Sequence, residues 1–105
     1  MNWSTAGTTC SGKNTSTPIT GAKWLLASKD QWNYMLGTNG AGSSTTLLDG
    51  FTSVGGSNLE SQDYWSSTEY VYSNEAWMFN FGYDSWYDYP KDDAAYPLVR
   101  ACLAF

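Results

Sequence analysis

The sequence contains no histidine, and only 14% of its 105 residues are charged. Without histidine there is no Ser-His-Asp triad, no Cys-His pair and no histidine-ligated zinc. Basic residues are scarce too, with five Lys and Arg in all. Five cations cannot neutralise a run of phosphates, so nucleic acid is not an expected partner. No apolar run approaches the roughly 18 residues that span a bilayer. The opening residues, Met1-Asn2-Trp3-Ser4-Thr5-Ala6-Gly7, carry neither a basic nor an apolar stretch, so no secretory signal is visible. The length allows one domain over residues 1–105 and no second core. Cysteine is nearly absent: Cys10 and Cys102 stand near opposite ends. They read either as a disulfide tying the ends together or as two buried thiols, and two cysteines alone do not decide which. A bridge closing so long a loop would add about 4 kcal/mol through chain entropy.

Aromatic residues, by contrast, are abundant. Six Trp, eight Tyr and four Phe make up 17% of the chain. Eleven of these rings fall between residues 64 and 89. Charge is also uneven. Residues 1–59 hold Asp30 and Asp49 against Lys13, Lys23 and Lys29, a net of +1. Residues 60–105 hold Glu60, Asp63, Glu69, Glu75, Asp84, Asp88, Asp92 and Asp93 against Lys91 and Arg100, a net of −6. A segment rich in both acids and rings resembles neither an ordinary core nor an ordinary loop.

Local patterning places few regular elements. Residues 1–22 are dominated by Ser, Thr, Gly and Asn and read as irregular chain. Lys23-Trp24-Leu25-Leu26 reads as a short strand or core plug. Ser28 and Gln31 form a capping box, with Asp30 in the first turn, and Trp32, Met35 and Leu36 give a helical apolar face. Gly37 is placed to stop that helix. Residues 37–46 read as a loop with an Asn39-Gly40 turn, Leu47, Leu48 and Phe51 as a small apolar patch, and 52–63 as loop again. Residues 76–81 alternate, with Trp77, Phe79 and Phe81 on one face, as a half-buried strand does. Residues 98–105 alternate as well and read as a C-terminal strand. Between them, residues 82–97 read as a long polar and aromatic loop. The fold class is therefore α+β: one or two helices on a small twisted antiparallel sheet, with long loops that carry function.

Three chemistries are conceivable for the acidic aromatic segment. Asp84, Asp88, Asp92 and Asp93 are hard oxygen donors of the kind calcium takes, but the EF-hand spacing is absent. Carboxylate pairs beside sugar-stacking rings would suit a glycosidase, but nothing in the segment would raise one pKa. Neither a metal, nor a cofactor, nor catalysis is expected. The third reading is a binding surface. Phe81-Gly82-Tyr83-Asp84-Ser85-Trp86-Tyr87-Asp88-Tyr89 has the composition of an antibody complementarity loop, in which Tyr and Trp give rigid contact area and small polar residues adapt.

Specific motifs sharpen that reading. Tyr64-Trp65-Ser66-Ser67-Thr68-Glu69-Tyr70, then Ala76-Trp77 and Phe79-Asn80-Phe81, Lys91, Val99-Arg100 and Leu103-Ala104-Phe105 resemble the C-terminal part of the variable proteins of diversity-generating retroelements. They are also similar to the major paralogous domain repeats of gut bacteria. Upstream, Trp24-Leu25-Leu26-Ala27-Ser28-Lys29-Asp30-Gln31-Trp32 resembles the same families' W-x-L-P-S/T-K-x-E-W segment, with Ala27 where Pro is usual. The resemblance implies a C-type-lectin-like fold with a constant scaffold and a variable region over about residues 64–105. In those proteins, rewriting of adenines turns Asn codons into Tyr, Asp, Ser, Ala, Val, Gly and similar residues. The residues matching that palette are Val71, Tyr72, Ser73, Tyr83, Asp84, Ser85, Tyr87, Asp88, Tyr89, Asp92, Asp93, Ala94 and Ala95.

By the same resemblance, Trp65, Trp77, Phe79 and Phe81 belong to the core. Ser66, Ser67 and Thr68 satisfy the backbone of a turn, and Glu69 pairs with Arg100. The sugar- and calcium-binding triplets of true C-type lectins are missing. The expected function is a non-catalytic ligand-binding module with a hypervariable C-terminal face. It would act outside the cell, on a bacterial surface or a phage particle, toward a protein or cell-surface ligand. The alternative is a non-diversified surface or adhesion domain of the major paralogous type.

Overall fold

The computed structural model describes residues 1–36, 62–93 and 97–104. Within them the chain is α+β, with two helices and two small antiparallel sheets. Helix α1 covers Trp3–Ser16, strand β1 Lys23–Leu26 and helix α2 Lys29–Leu36. Strands β2 (Asp63–Glu69), β3 (Glu75–Asn80) and β4 (Ser85–Pro90) follow, then β5 (Ala101–Ala104). No helix among the described residues is long and apolar enough to cross a membrane. The Gly37 stop, the 37–46 loop with its Asn39-Gly40 turn, the Leu47, Leu48 and Phe51 patch, nearly all of the 52–63 loop, Ala94, Ala95 and Phe105 lie outside the described residues.

Helix α2 starts where its capping box puts it. The Ser28 backbone N–H donates to Gln31 Oε1 at 2.8 Å, and the Gln31 N–H donates to Ser28 Oγ at 3.1 Å. This reciprocal pair satisfies donors that the first helical turn leaves open. Trp32 and Leu36 are buried on its inner face, and Met35 packs beside them.

Helix α1 corrects the expectation of an irregular segment over residues 1–22. Its Ser, Thr and Gly residues are weak helix formers, so local preference does not announce it. Tertiary contacts supply what propensity lacks. Asn2 caps the start by accepting from the Thr5 N–H at 2.9 Å. Ala6 and Cys10, one turn apart, are the buried residues of α1 and are small enough to let it lie close against the sheet. Near the other end, Asn14 acts as a substitute strand partner for β1. Its amide donates to the Trp24 carbonyl at 2.9 Å and accepts from the Trp24 N–H at 2.7 Å.

Strands β2, β3 and β4 form a meander, and β1 pairs with β5, Lys23 opposite Ala104 and Leu26 opposite Ala101. The two sheets touch through a parallel bridge: the Leu98 N–H donates to the Asp63 carbonyl at 2.8 Å, and the Trp65 N–H to the Leu98 carbonyl at 3.1 Å. Residues 98–105 were expected as one strand, and the described ladder is shorter, with Leu98 serving as that bridge.

Strands β2 and β3 are covered on both faces. One cluster, around Trp32 and Leu36 of α2, holds Ala27, Tyr64, Phe79 and Phe81. The other, around Ala6 and Cys10 of α1, holds Leu26, Trp65, Ala76 and Met78. Neighbours in sequence therefore go to opposite clusters: Tyr64 and Trp65, Phe79 and Met78, Leu98 and Val99. Strand β3 is thus buried on both sides, not half-buried as its alternation implied. Ala76 and Met78 on its second face meet α1.

Residues 82–97 are likewise not one loop, because β4 lies within them and pairs along its whole length with β3. Polar residues on both faces of β4 hide its period of two, as befits an edge strand.

The two cysteines are free thiols, Cys10 buried and Cys102 half-buried, so the open choice resolves against a bridge. Burial, with the nearby Cys10 adding to it, pushes the Cys102 thiol up to about 11. Burial also raises Cys10.

The Trp-Ser-Ser-Thr motif sits at an irregularity in the β2–β3 ladder between Trp65 and Glu69. Here the hydroxyls take over from the ladder, within a strand and not in the turn expected for them. Ser66, fully buried, donates through Oγ to the Trp77 carbonyl at 2.8 Å and accepts from the Thr68 N–H at 3.2 Å. Thr68 Oγ1 accepts from the Lys29 N–H at 2.9 Å, and the Ser67 N–H donates to the Ala27 carbonyl at 2.9 Å.

Ser66→Ala should lower stability by about 1–3 kcal/mol, because a buried N–H and C=O both lose their partner. Ser67→Ala, whose side chain is exposed, should leave the urea midpoint nearly unchanged, and paired urea melts check the contrast. Native protein at about pH 8 should leave Cys102 unlabelled by a thiol reagent, since about one molecule in a thousand would hold the thiolate. Both cysteines should label fully in denaturant, read by intact mass.

Candidate binding surface

The candidate residues gather on the β2–β3–β4 meander, but at two ends of it. Val71, Tyr72 and Ser73 form the turn between β2 and β3, and Asp92 and Asp93 follow β4 at that same end. Tyr83 and Asp84 form the β3–β4 turn at the opposite end, with Ser85 starting β4. Six strand residues separate the two ends, about 20 Å of extended chain. Four of the rings and apolar side chains stand well out of the surface: Val71 83% exposed, Tyr72 66%, Tyr83 77% and Tyr87 43%.

Strand β4 sends its candidates to both faces. Tyr87 and Tyr89 lie on the α1 side, opposite Met78 and Ala76. Tyr89 is half-buried, its ring tilted at 61° to Trp65 with centroids 6.0 Å apart. It is therefore as much part of the packing as of the surface. Trp86 and Asp88 lie on the α2 side, opposite Phe79 and Trp77. Trp86 packs edge-on against Phe79 at 5.2 Å, and its indole N–H donates to Asn33 Oδ1 at 2.8 Å. Among the described residues, Asp84, Asp88, Asp92 and Asp93 do not come together in a group of three or more that could hold a metal.

The two turns are held differently. In the β3–β4 turn the Asn80 amide donates to Asp63 Oδ1 at 2.6 Å, and Asn80 Oδ1 accepts from the Tyr83 N–H at 2.7 Å. Asp84 has φ of 54°, the left-handed region that Asp tolerates better than most residues. The turn between β2 and β3 is held by Lys91. Its ammonium lies 2.9 Å from Glu69 Oε2, donates to the Ser73 carbonyl and sits 4.4 Å from the centroid of the Trp3 ring. Its N–H donates to the Asn74 carbonyl, and its carbonyl accepts from the Trp3 N–H, each at 2.9 Å. Lys91 therefore joins β4, the β2–β3 turn and the start of α1.

This geometry corrects the expected pairing of Glu69 with Arg100. The hairpin register puts residue 91 opposite residue 74, beside the end of β2, so Lys91 reaches Glu69 first.

Sequence reasoning passed over Tyr70, Glu75 and Lys29, which complete the α2 side of this surface. Tyr70 meets Trp77 edge-on at 4.8 Å and Tyr72 at 5.8 Å. Lys29 Nζ lies 3.9 Å from the Trp77 ring centroid and 5.6 Å from that of Trp86. Cation–π contact of this kind ties the start of α2 to the sheet. Glu75 lies diagonally from Asp88 on the same face. A hydrogen bond between the two carboxyl groups, helped by local desolvation and the Asp88 charge, raises Glu75 above its usual 4.5. Only the alternation of residues 75, 77 and 79 could have signalled these neighbours. The comparisons add no precedent: the chain matches no family model, no curated protein and no solved structure.

A raised carboxyl is favoured by the folded state while protonated, so its contribution to stability is lost as pH rises above about 4.5. Glu75→Gln should therefore melt higher than the parent at pH 7 and equal to it near pH 3. Thermal melts across that range check the sign.

Proposed function

We propose that this chain is a non-catalytic ligand-binding module of the retroelement variable-protein kind, with a C-type-lectin-like scaffold. Its binding face would be formed by the β2–β3 turn, the β3–β4 turn and β4. The observation that carries this reading is a division of labour within one short stretch. Trp65, Phe79 and Phe81 of the sequence motifs are buried and Trp77, expected in the core with them, is only half-buried, while Val71, Tyr72, Tyr83 and Tyr87 nearby stand exposed. Tyr is the residue that adaptable binding surfaces favour, because it offers large rigid contact area with a polar tip. Two helices on small antiparallel sheets, with β1 paired to β5, suit such a scaffold. The ligand would be a protein or cell-surface molecule met outside the cell, with a neutral or basic face.

The test is at the gene. A reverse transcriptase should lie nearby, with a template repeat copying codons of about residues 64–105. Differences between template and gene should fall at template adenines and in codons 71–73, 83–85, 87–89 and 92–95. A locus with no such repeat, or with differences at other bases, would instead assign the chain to the non-diversified surface and adhesion domains.

A further inference from the structure

Strand β4 is the outer strand of its sheet, and its outer edge has an orientation that the register determines. One step beyond the Glu75–Pro90 pair, the Lys91 N–H donates inward to the Asn74 carbonyl at 2.9 Å. Antiparallel pairs alternate between bonded and non-bonded. Residues 89, 87 and 85 therefore also turn their N–H and C=O toward β3, and residues 90, 88 and 86 turn theirs outward. Pro90 agrees with this, since a residue without an N–H is tolerated on the side away from the ladder. The outward groups are thus the N–H and C=O of Trp86 and Asp88, and the Pro90 carbonyl already accepts from the Asp93 N–H at 3.2 Å. Among the described residues no strand pairs with this edge. Tyr87, Asp88 and Pro90 are all exposed beside it.

An open edge takes up an extended strand through main-chain bonds, and flanking side chains choose which one. The choice here is a matter of charge. On the α2 side of the edge stand Asp88 and Glu75, with the Lys29 ammonium held over the neighbouring Trp77 and Trp86 rings, and the described residues include no ion pair to either acid. On the α1 side stands the exposed Tyr87 ring. A second copy of this chain is the poorer occupant, because joining two β4 edges antiparallel sets each Asp88 opposite Trp86 and diagonal to the other Asp88, so neither carboxylate gains a cation opposite it. The geometry points to the outer edge of β4 as a docking site for an extended segment of a protein partner that carries Arg or Lys beside Asp88 and an apolar residue beside Tyr87.

This inference rests on the reading of the chain as a binding module but not on diversification, so the gene test and the following test fail separately. The probe is a labelled octapeptide alternating Val and Arg, compared with one alternating Val and Glu. The Val-Arg peptide should bind the full chain, and exchange of the Trp86 and Asp88 amides with solvent should slow on binding. Asp88→Asn should weaken it about tenfold by removing a charged acceptor. Asp88→Pro removes the outward donor while leaving every β3–β4 bond, and should weaken it further; circular dichroism confirms that the variant folds. Asp84→Asn changes the net charge equally at the far turn and should change affinity by less than about twofold. Equal binding of both peptides, equal effects of Asp84→Asn and Asp88→Asn, or unslowed Trp86 and Asp88 amides would overturn the proposal. So would a dimer in ultracentrifugation of the parent that Asp88→Pro abolishes, because the edge would then belong to a second copy.

Discussion

Two peptide carbonyls of β2 hold both helices in place. The Trp65 carbonyl faces away from β3, on the side where the Trp65 N–H meets Leu98, and the Ser66 carbonyl leaves regular pairing where the β2–β3 ladder loses its register. Buried carbonyls cannot be left without donors. The Trp32 indole of α2 donates to the Trp65 carbonyl at 3.2 Å, and the Trp3 indole of α1 donates to the Ser66 carbonyl at 2.8 Å. Trp65 in turn donates through its own indole to the Met1 carbonyl at 2.9 Å. Two adjacent carbonyls of one strand thus serve as attachment points for two helices, which lie on opposite faces of the same sheet. Because indole N–H groups reach far from their backbone, they bridge a distance that Ser or Asn would not. This explains why a small domain holds so many Trp residues: they are both core volume and hydrogen-bond donors.

Parts of this arrangement can be read from sequence because they depend on neighbours. The Ser28–Gln31 box and the spacing of Trp32, Met35 and Leu36 are local, and α2 follows from them. Helix α1 is not local in this sense. Its residues favour other conformations, and it exists because Asn14 completes β1 and Trp3 meets β2 across the fold. Strand β4 escaped notice for a related reason: an edge strand of the meander keeps polar residues on both faces, so no alternation marks it. The double burial of β3 required knowing that a helix covers each side.

The surface shows the same division. Composition alone singled out Tyr83, Asp84, Tyr87 and Asp88 as candidates, since an acid-rich, Tyr-rich stretch has no ordinary role in a core. Composition could not say that Tyr89 turns back onto Trp65, or that the candidates separate to two ends of the meander. Nor could it name the ion pair of Glu69, which depends on the hairpin register that brings Lys91 across. That lysine is bound through both its backbone and its ammonium, so the turn bearing Val71, Tyr72 and Ser73 is anchored at its base while its tip stays in water.

The left-handed backbone of Asp84 has a consequence for what that turn can display. Gly, Asn and Asp adopt such a conformation readily, while other side chains meet a steric cost of about 1 kcal/mol or more. Position 84 is open to solvent on all sides but narrow in its alphabet. Tyr83 beside it is free of that filter, so adjacent positions of one turn differ in how much chemical novelty they admit, and the backbone, not the ligand, sets the limit.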